Sequence, residues 1–250
     1  MVDIEIVVPI SISGVWKPIY TNEPETTGSI GLALVLEPPI VASIKKGSGI
    51  IIYNNQFLRE FPNLQYLRLL GDLKVEVESI LPLGYGYGIS SALSLSYALG
   101  AYELGLTELK KALVTAHISE VLTKNGLGDV IVQWSGGGLV YRKKAGAPGL
   151  GEVEKIDVSW KSIFSIPIER MSTSKIIKEI DAKEYINEFL KERTLEKFFL
   201  VAKKFTEKLG FISPYQNSFR KKGIIVFLGK PPSDKSWIIH NPAKYGAFVR

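Results

Sequence analysis

The chain reads as an α+β protein, and three observations say so. Strand and helix candidates are interleaved without a strict strand–helix–strand period, which argues against a doubly wound parallel sheet. Residues 90–104 are rich in alanine and leucine and almost uncharged, the pattern of a helix buried all round. Residues 73–80 alternate in part, Val75 and Val77 against Lys74, Glu76 and Glu78, as a half-buried strand does. The length of 250 residues fits one large or two ordinary domains.

Taken in order, residues 4–10 read as a first strand ending near Pro9. Residues 11–18 mix serine, glycine and proline and read as a turn-rich loop, as do residues 23–29. Residues 30–41 form a strand-like run broken by Pro38-Pro39, and residues 50–53 a further strand. Residues 58–70 fit a helix interrupted at Pro62. Thr107 is placed to cap a helix running to about Lys124, with Gly126 ending it. Residues 130–134 and 139–142 read as two strands around the bend Gly136-Gly137-Gly138, and Pro148-Gly149-Leu150-Gly151 as a linker. Beyond it, residues 163–168 form a strand, and Asp181 with Glu184 makes a capping-box-like start for a helix toward Lys191. Thr194 caps another helix, with Leu195, Phe198, Phe199, Ala202 and Phe205 on one face. Residues 224–228, 237–240 and 247–249 are short strands.

Composition narrows the function. Apolar residues make up 46% and charged residues 22%, which suits a globular chain with a sizeable core. No window approaches 18 uninterrupted apolar residues, so no membrane helix is expected. Asp3 and Glu5 stand where a signal peptide carries basic residues. The chain has no cysteine, which excludes disulfides, thiolate zinc sites and cysteine nucleophiles and fits a cytoplasmic protein. Two histidines, His117 and His240, are too few for a multi-histidine metal site. A net charge of +6 suits an anionic partner. The basic residues are spread out and base-reading motifs are absent, so a phosphorylated small molecule is expected rather than nucleic acid. A homodimer is compatible with the sequence.

The stretch Pro82-Leu83-Gly84-Tyr85-Gly86-Tyr87-Gly88-Ile89-Ser90-Ser91-Ala92 carries the chemistry. It lies between a strand and the buried helix, where alternating glycines free the backbone for close approach and the helix N-terminus favours an anion. It is not a Walker loop, which needs GxxxxGK[ST]; no lysine occurs between Gly88 and Lys110. It is not a dinucleotide fingerprint either, since the spacing is GxGxG rather than GxGxxG. Its bland alternative is a glycine-rich turn with buried serines.

Further on, His117 and Glu120 share a helix face at i, i+3, and Asp129 sits in a glycine-bounded loop. A hydroxyl at Ser90 and a carboxylate at Glu120 can hold Mg²⁺ through oxygen, with phosphates and water completing the shell. Asp129 can orient an alcohol nucleophile or accept its proton. Taken singly, His117 also reads as a packed core histidine, Glu120 as a solvated helix residue and Asp129 as a turn residue. Lys17, in the early loop, is a candidate phosphate lysine as well as an ordinary surface lysine.

These segments together resemble the GHMP kinases. Pro82 to Ala92 is similar to their PxGxGxGxSxA motif. Thr27-Gly28-Ser29-Ile30-Gly31, His117-Ile118-Ser119-Glu120 and Gly126-Leu127-Gly128-Asp129-Val130 resemble the archaeal pantoate kinases among them, with the Gly136-Gly137-Gly138 bend, Arg142 and Pro148-Gly149 extending the likeness. The resemblance implies a ribosomal-protein-S5-like N-terminal lobe, here residues 1–158, and a ferredoxin-like C-terminal lobe, residues 159–250. It implies ATP as phosphate donor over Pro82, Gly84, Gly86, Gly88, Ser90 and Ser91, and Mg²⁺ on Ser90 and Glu120. Asp129, Glu120 and Ser90 would be catalytic, and Ser29, His117 and Arg142 would hold (R)-pantoate, phosphorylated to 4-phosphopantoate on the way to coenzyme A. Mevalonate- or phosphomevalonate-like acceptors, or a non-catalytic nucleotide or nucleic-acid binder on the same fold, are the alternative readings. Two departures stand out: the early loop reads Val8-Pro9-Ile10-Ser11 where the family usually has Val-Pro-Gly-His, and Ser91 replaces a glycine.

Overall fold

The computed structural model describes residues 3–171, 180–233 and 235–250. Two long strands, β1 (Ile4–Ile19) and β2 (Gly28–Lys46), pair antiparallel along most of their length and form the spine of the first sheet. Residues 11–18 are therefore strand, not the loop their composition suggests. Ile12 and Val15 are fully buried, and the backbone accommodates serine and glycine through register shifts between Val8 and Ile10 and between Ser13 and Val15. Pro38 and Pro39 do not break β2. The ladder skips from Val8–Ile40 to Ile10–Leu36, so Pro9, Pro38 and Pro39 fall where no ladder donor is needed.

The rest of the sheet is built on β2. Its C-terminal half pairs with β5 (Leu73–Val77), which is parallel to β3 (Ile50–Tyr53), and β3 pairs with β4 (Gln56–Phe57). Its N-terminal half pairs with β6 (Leu139–Lys144), which pairs with β7 (Glu152–Ile156). The stretch 148–151 is thus a tight turn within one sheet and not a linker; the N–H groups of Leu150 and Gly151 donate to the Ala147 carbonyl.

Helices cover this sheet. The segment around Pro62 shrinks to α1 (Leu64–Leu67) with a 3₁₀ turn after it. The buried helix is α2 (Ile89–Glu103), and α3 (Leu109–Leu122) packs on it. Thr107 does not cap α3: Glu108 occupies the cap position and the Thr107 hydroxyl is buried without a partner among the described residues. Lys124, not Gly126, takes the left-handed conformation after α3 (φ 57°). Residues 130–134 are not a strand but part of α4 (Asp129–Ser135). So short a largely apolar run fits either element, and here Ile131 and Val132 pack onto Ala33, Val35 and Val140 of the sheet.

The second sheet contains β8 (Ile163–Pro167), β9 (Ser218–Lys221), β10 (Ile224–Leu228) and β11 (Ile238–His240), all antiparallel in the order β11-β8-β10-β9. In chain order that is 4-1-3-2, the ferredoxin-like arrangement. Between β8 and β9 lie α5 (Lys183–Leu190) and α6 (Leu195–Lys208). The Thr194 hydroxyl accepts the Lys197 N–H, as its cap position requires. Asp181 accepts the Lys183 N–H one residue before the α5 cap.

Helix α6 joins the two sheets. A Cβ on Gly14 of β1 would lie 2.6 Å from the Phe198 ring, so glycine there lets α6 approach. Trp16 meets Phe205 edge to face at 4.9 Å. Strand β12 (Phe248–Val249) returns the chain to β1. No described helix is long and apolar enough to cross a membrane.

Candidate active site

The glycine loop opens α2 against a cavity of 570 Å³. Gly84, Gly86 and Gly88 have φ of 89°, 120° and 71°, conformations that side chains other than glycine rarely adopt. Gly88 is the α2 cap, and a Cβ there would strike the Ser11 hydroxyl at 2.5 Å. With no side-chain cap among the described residues, the first N–H groups of α2 face the cavity side of the loop. Gly84, Gly86, Gly88 and Ser90 line the cavity; Pro82 and Ser91 do not.

The loop is tied down from below by a buried hydrogen-bond chain. The His240 Nδ1 faces the Glu37 carbonyl at 2.7 Å, so it must carry the proton. Its Nε2 then accepts from the Ser165 hydroxyl (2.6 Å), which in turn accepts from the Tyr87 hydroxyl (2.8 Å). Burial pushes the His240 imidazole down to about 4 and the Tyr87 phenol up to about 12, so both stay neutral.

Glu120 sits under the start of α2, 2% exposed. Its Oε2 accepts from Ser90 (3.1 Å) and Ser91 (2.6 Å); its Oε1 accepts from Asn63 (2.6 Å) and Ser94 (3.3 Å). Burial raises its carboxyl to about 7, with Asp129 adding to the shift and the hydrogen bonds opposing it. Ser91, a departure from the family pattern, thus makes one of the two shortest contacts to this carboxylate.

Asp129 opens α4 at the cavity wall. Its Oδ1 accepts from the Ser11 hydroxyl at 2.7 Å, and Ser11 accepts in turn from the Gln133 amide at 3.1 Å. Gln133 also donates to the Gly88 carbonyl, which locks Asp129 to the glycine loop. Burial alone would raise the Asp129 carboxyl, but Lys221 and Arg142, helped by Ser11 and Lys222, hold it below the usual range. Gly126 lies between the two acids. A Cβ on it would be 3.0 Å from Glu120 Oε2 and 3.2 Å from Asp129 Oδ2, so glycine keeps that space open.

Arg142 is 1% exposed, and burial lowers its guanidinium to about 10. Its Nη1 donates to Ser13 (3.1 Å), while Nε and Nη2 are buried without a partner among the described residues. The position a Cβ would take on Gly128 is 2.5 Å from the Ser29 hydroxyl and 2.7 Å from Arg142 Nε, so both side chains crowd that glycine, next in sequence to Asp129. His117 is also buried. Its Nε2–H donates to the Thr27 carbonyl at 2.7 Å, so it supports the strand start that carries Ser29 rather than lining the cavity. Burial lowers its imidazole and keeps it neutral.

The structure thus brings Ser90, Glu120 and Asp129 together, with Ser29 and Arg142 alongside. It places Lys17 elsewhere, against Asp181 at 3.4 Å. Sequence reasoning missed Asn63, Ser94 and Ser11, which hold the acids. It also missed Lys221 and Lys222, which line the cavity from the second sheet. Their local signal is the basic run Arg220-Lys221-Lys222 before Gly223 at a hairpin turn.

A family model of the GHMP kinases N terminal domain matches residues 53–137. The pantoate kinase of Methanocaldococcus jannaschii is 32% identical over 219 residues, covering 82% of this chain and 80% of that protein. The pantoate kinase of Thermococcus kodakarensis is 29% identical over 233 residues, 82% and 75% of the two. A solved phosphotransferase related to the CoA biosynthesis pathway superposes with a TM-score of 0.84 at 25% identity, covering 100% of this chain and 99% of the other. A homoserine kinase from Cytophaga hutchinsonii shares the fold, with a TM-score of 0.62 at 14% identity over 99% and 97% of the chains. Fold and cavity together define a small-molecule phosphotransferase. The chain belongs to the GHMP kinases and, within them, to the pantoate kinase family. Kinases of this kind take the phosphoryl group from ATP.

Proposed function

We propose that this chain transfers the γ-phosphoryl group of ATP to the primary hydroxyl of (R)-pantoate, giving 4-phosphopantoate and ADP, a step toward coenzyme A. The observation that carries the acceptor is the Arg142 fork. Two buried N–H positions without partners among the described residues, beside Ser29 and against the glycine that precedes Asp129, suit a small hydroxy acid. A buried donor left unpaired is costly, and a carboxylate satisfies both N–H groups at once. The pantoate carboxylate pairs with Arg142 and Ser29, and His117 steadies Ser29 through the Thr27 carbonyl.

ATP lies over the glycine loop with its phosphates on the free N–H groups of α2. The donor set of Ser90 hydroxyl and Glu120 carboxylate, all hard oxygen, suits Mg²⁺, which takes few protein ligands and fills its shell with phosphates and water. That ion, when bound, supplies charge neutralisation at the phosphates. The two carboxylates then divide the work. Glu120 holds the metal side. Asp129, ionised and weakly basic, orients the acceptor hydroxyl and takes its proton as the new bond forms, in keeping with a loose phosphoryl transition state. Residues 1–158 and 159–250 as two lobes, and a cytoplasmic location, belong to the same reading.

The test is direct. Incubate the protein with ATP, Mg²⁺ and pantoate and follow ADP. Pantoate-dependent release supports the reading; release driven by mevalonate or homoserine, with none from pantoate, reassigns the acceptor.

A further inference from the structure

The glycine loop faces a wall built by the β9–β10 hairpin of the second sheet. Lys221 and Lys222 stand on that wall and line the cavity with Gly86, Gly88, Ser90 and Asp129. The hairpin is held against the loop: the Gly223 N–H donates to the Tyr85 carbonyl at 3.1 Å, and a Cβ on Gly86 would lie 3.2 Å from the Lys221 carbonyl oxygen. Lys222 is held at φ 50°, a conformation that costs energy outside glycine and clusters at functional sites.

We propose that Lys221 is a further catalytic residue, its ammonium contacting the phosphoryl oxygens during transfer, with Lys222 holding the same polyphosphate at the hairpin turn. The inference rests on the phosphotransferase reading above and adds a group that reading did not need. Lys221 is 5% exposed, and no carboxylate of the described residues lies within ion-pair distance of its ammonium. A buried cation is normally paired. Here two buried cations, Lys221 and Arg142, share the ionised carboxylate of Asp129, and burial lowers the pKa of both. The cluster is short of negative charge on the side where ATP phosphates would lie. In the transfer the acceptor oxygen bonds to the γ-phosphorus. The bond to the β,γ-bridging oxygen breaks with its electron pair left on ADP, and the hydroxyl proton passes to Asp129. Lys221 gives up no proton; it offsets charge on the moving phosphoryl group.

The test uses Lys221→Met and Lys221→Gln in the full chain. With ATP, Mg²⁺ and pantoate, kcat falls about 10²- to 10³-fold, the scale of one lost oxyanion donor, while KM for pantoate stays within roughly threefold. Without ligand, Tm does not fall, because a buried repulsive charge has gone. The Tm rise given to wild type by a non-hydrolysable ATP analogue shrinks in both variants. A kcat within tenfold of wild type overturns the proposal, as does loss of folding in both variants, which makes the lysine structural. If wild type forms no product from pantoate, the acceptor assignment fails instead. The ATP-analogue shift then decides Lys221 alone: an undiminished shift in the variants overturns its role.

Discussion

Glu120 and Asp129 flank the same open space at Gly126, yet their surroundings push them in opposite directions. Around Glu120 the partners are neutral: three serine hydroxyls and an asparagine amide. Hydrogen bonds from neutral groups do not repay the loss of water, and the carboxyl rises to about 7. Around Asp129 the neighbours are cations, and the carboxyl stays ionised well below the usual range. Burial by itself therefore does not fix the role of a carboxylate; the charge of its neighbours does. A pair of acids held apart in this way is suited to the division of labour proposed above, one acid exchanging a proton for a metal ion and the other staying an anion at the acceptor hydroxyl.

The largest effect expected from breaking this contrast is at Asp129. Asp129→Asn keeps the shape and removes the anion, and kcat should fall by about 10²- to 10⁴-fold in steady-state assays. A loss under tenfold would remove Asp129 from the reaction. Next is Arg142→Ala, which deletes the proposed partner of the acid substrate and one of the cations that keep Asp129 ionised. KM for pantoate should rise by about 10- to 100-fold, the value of a charged hydrogen bond. An unchanged KM would refute the contact.

Glu120→Gln sharpens the comparison through stability rather than rate. The proton on Glu120 favours the folded state, so its contribution is complete below the ordinary value of 4.5 and is lost as pH rises through about 7. Without metal, Tm of wild type relative to Glu120→Gln should fall across that window, and added Mg²⁺ with ATP should reverse the trend in wild type alone. A Tm difference flat with pH would contradict the raised carboxyl. The smallest effect belongs to Ser91→Ala, which removes one of four donors. Stability should drop by about 1 kcal/mol by denaturant titration, and no change would mean that the 2.6 Å contact contributes nothing.

The two acids were legible in the sequence and their environments were not. Ser90, Glu120 and Asp129, which the fold brings together, stand out in the sequence because a glycine loop, a helix face and a glycine-bounded turn are local patterns. The buried α2 and the Thr194-capped α6 were legible for the same reason. What separates the acids energetically is long-range. Asn63 bonds Glu120, and the charge of Lys221 acts on Asp129, only after sheets and helices have packed, and neither lies in a pattern that points there. Residues 11–18 look like a loop because serine, glycine and proline mark turns locally, whereas pairing with β2 decides the outcome. Residues 130–134 fit a strand as well as a helix because so short a largely apolar run carries no period that separates the two. Ser11 is instructive: it looked like a loop residue where the family has histidine, and it proves to be the hydroxyl that fixes Asp129.

The most direct test of the whole account is a competition in one tube. Wild-type protein receives ATP, Mg²⁺ and equal amounts of pantoate, mevalonate and homoserine, and the products are weighed by mass spectrometry. The account predicts one dominant product, pantoate carrying a single phosphoryl group, lost in Asp129→Asn. Phosphorylated mevalonate or homoserine in its place, or phosphopantoate formed equally well by Asp129→Asn, would contradict it.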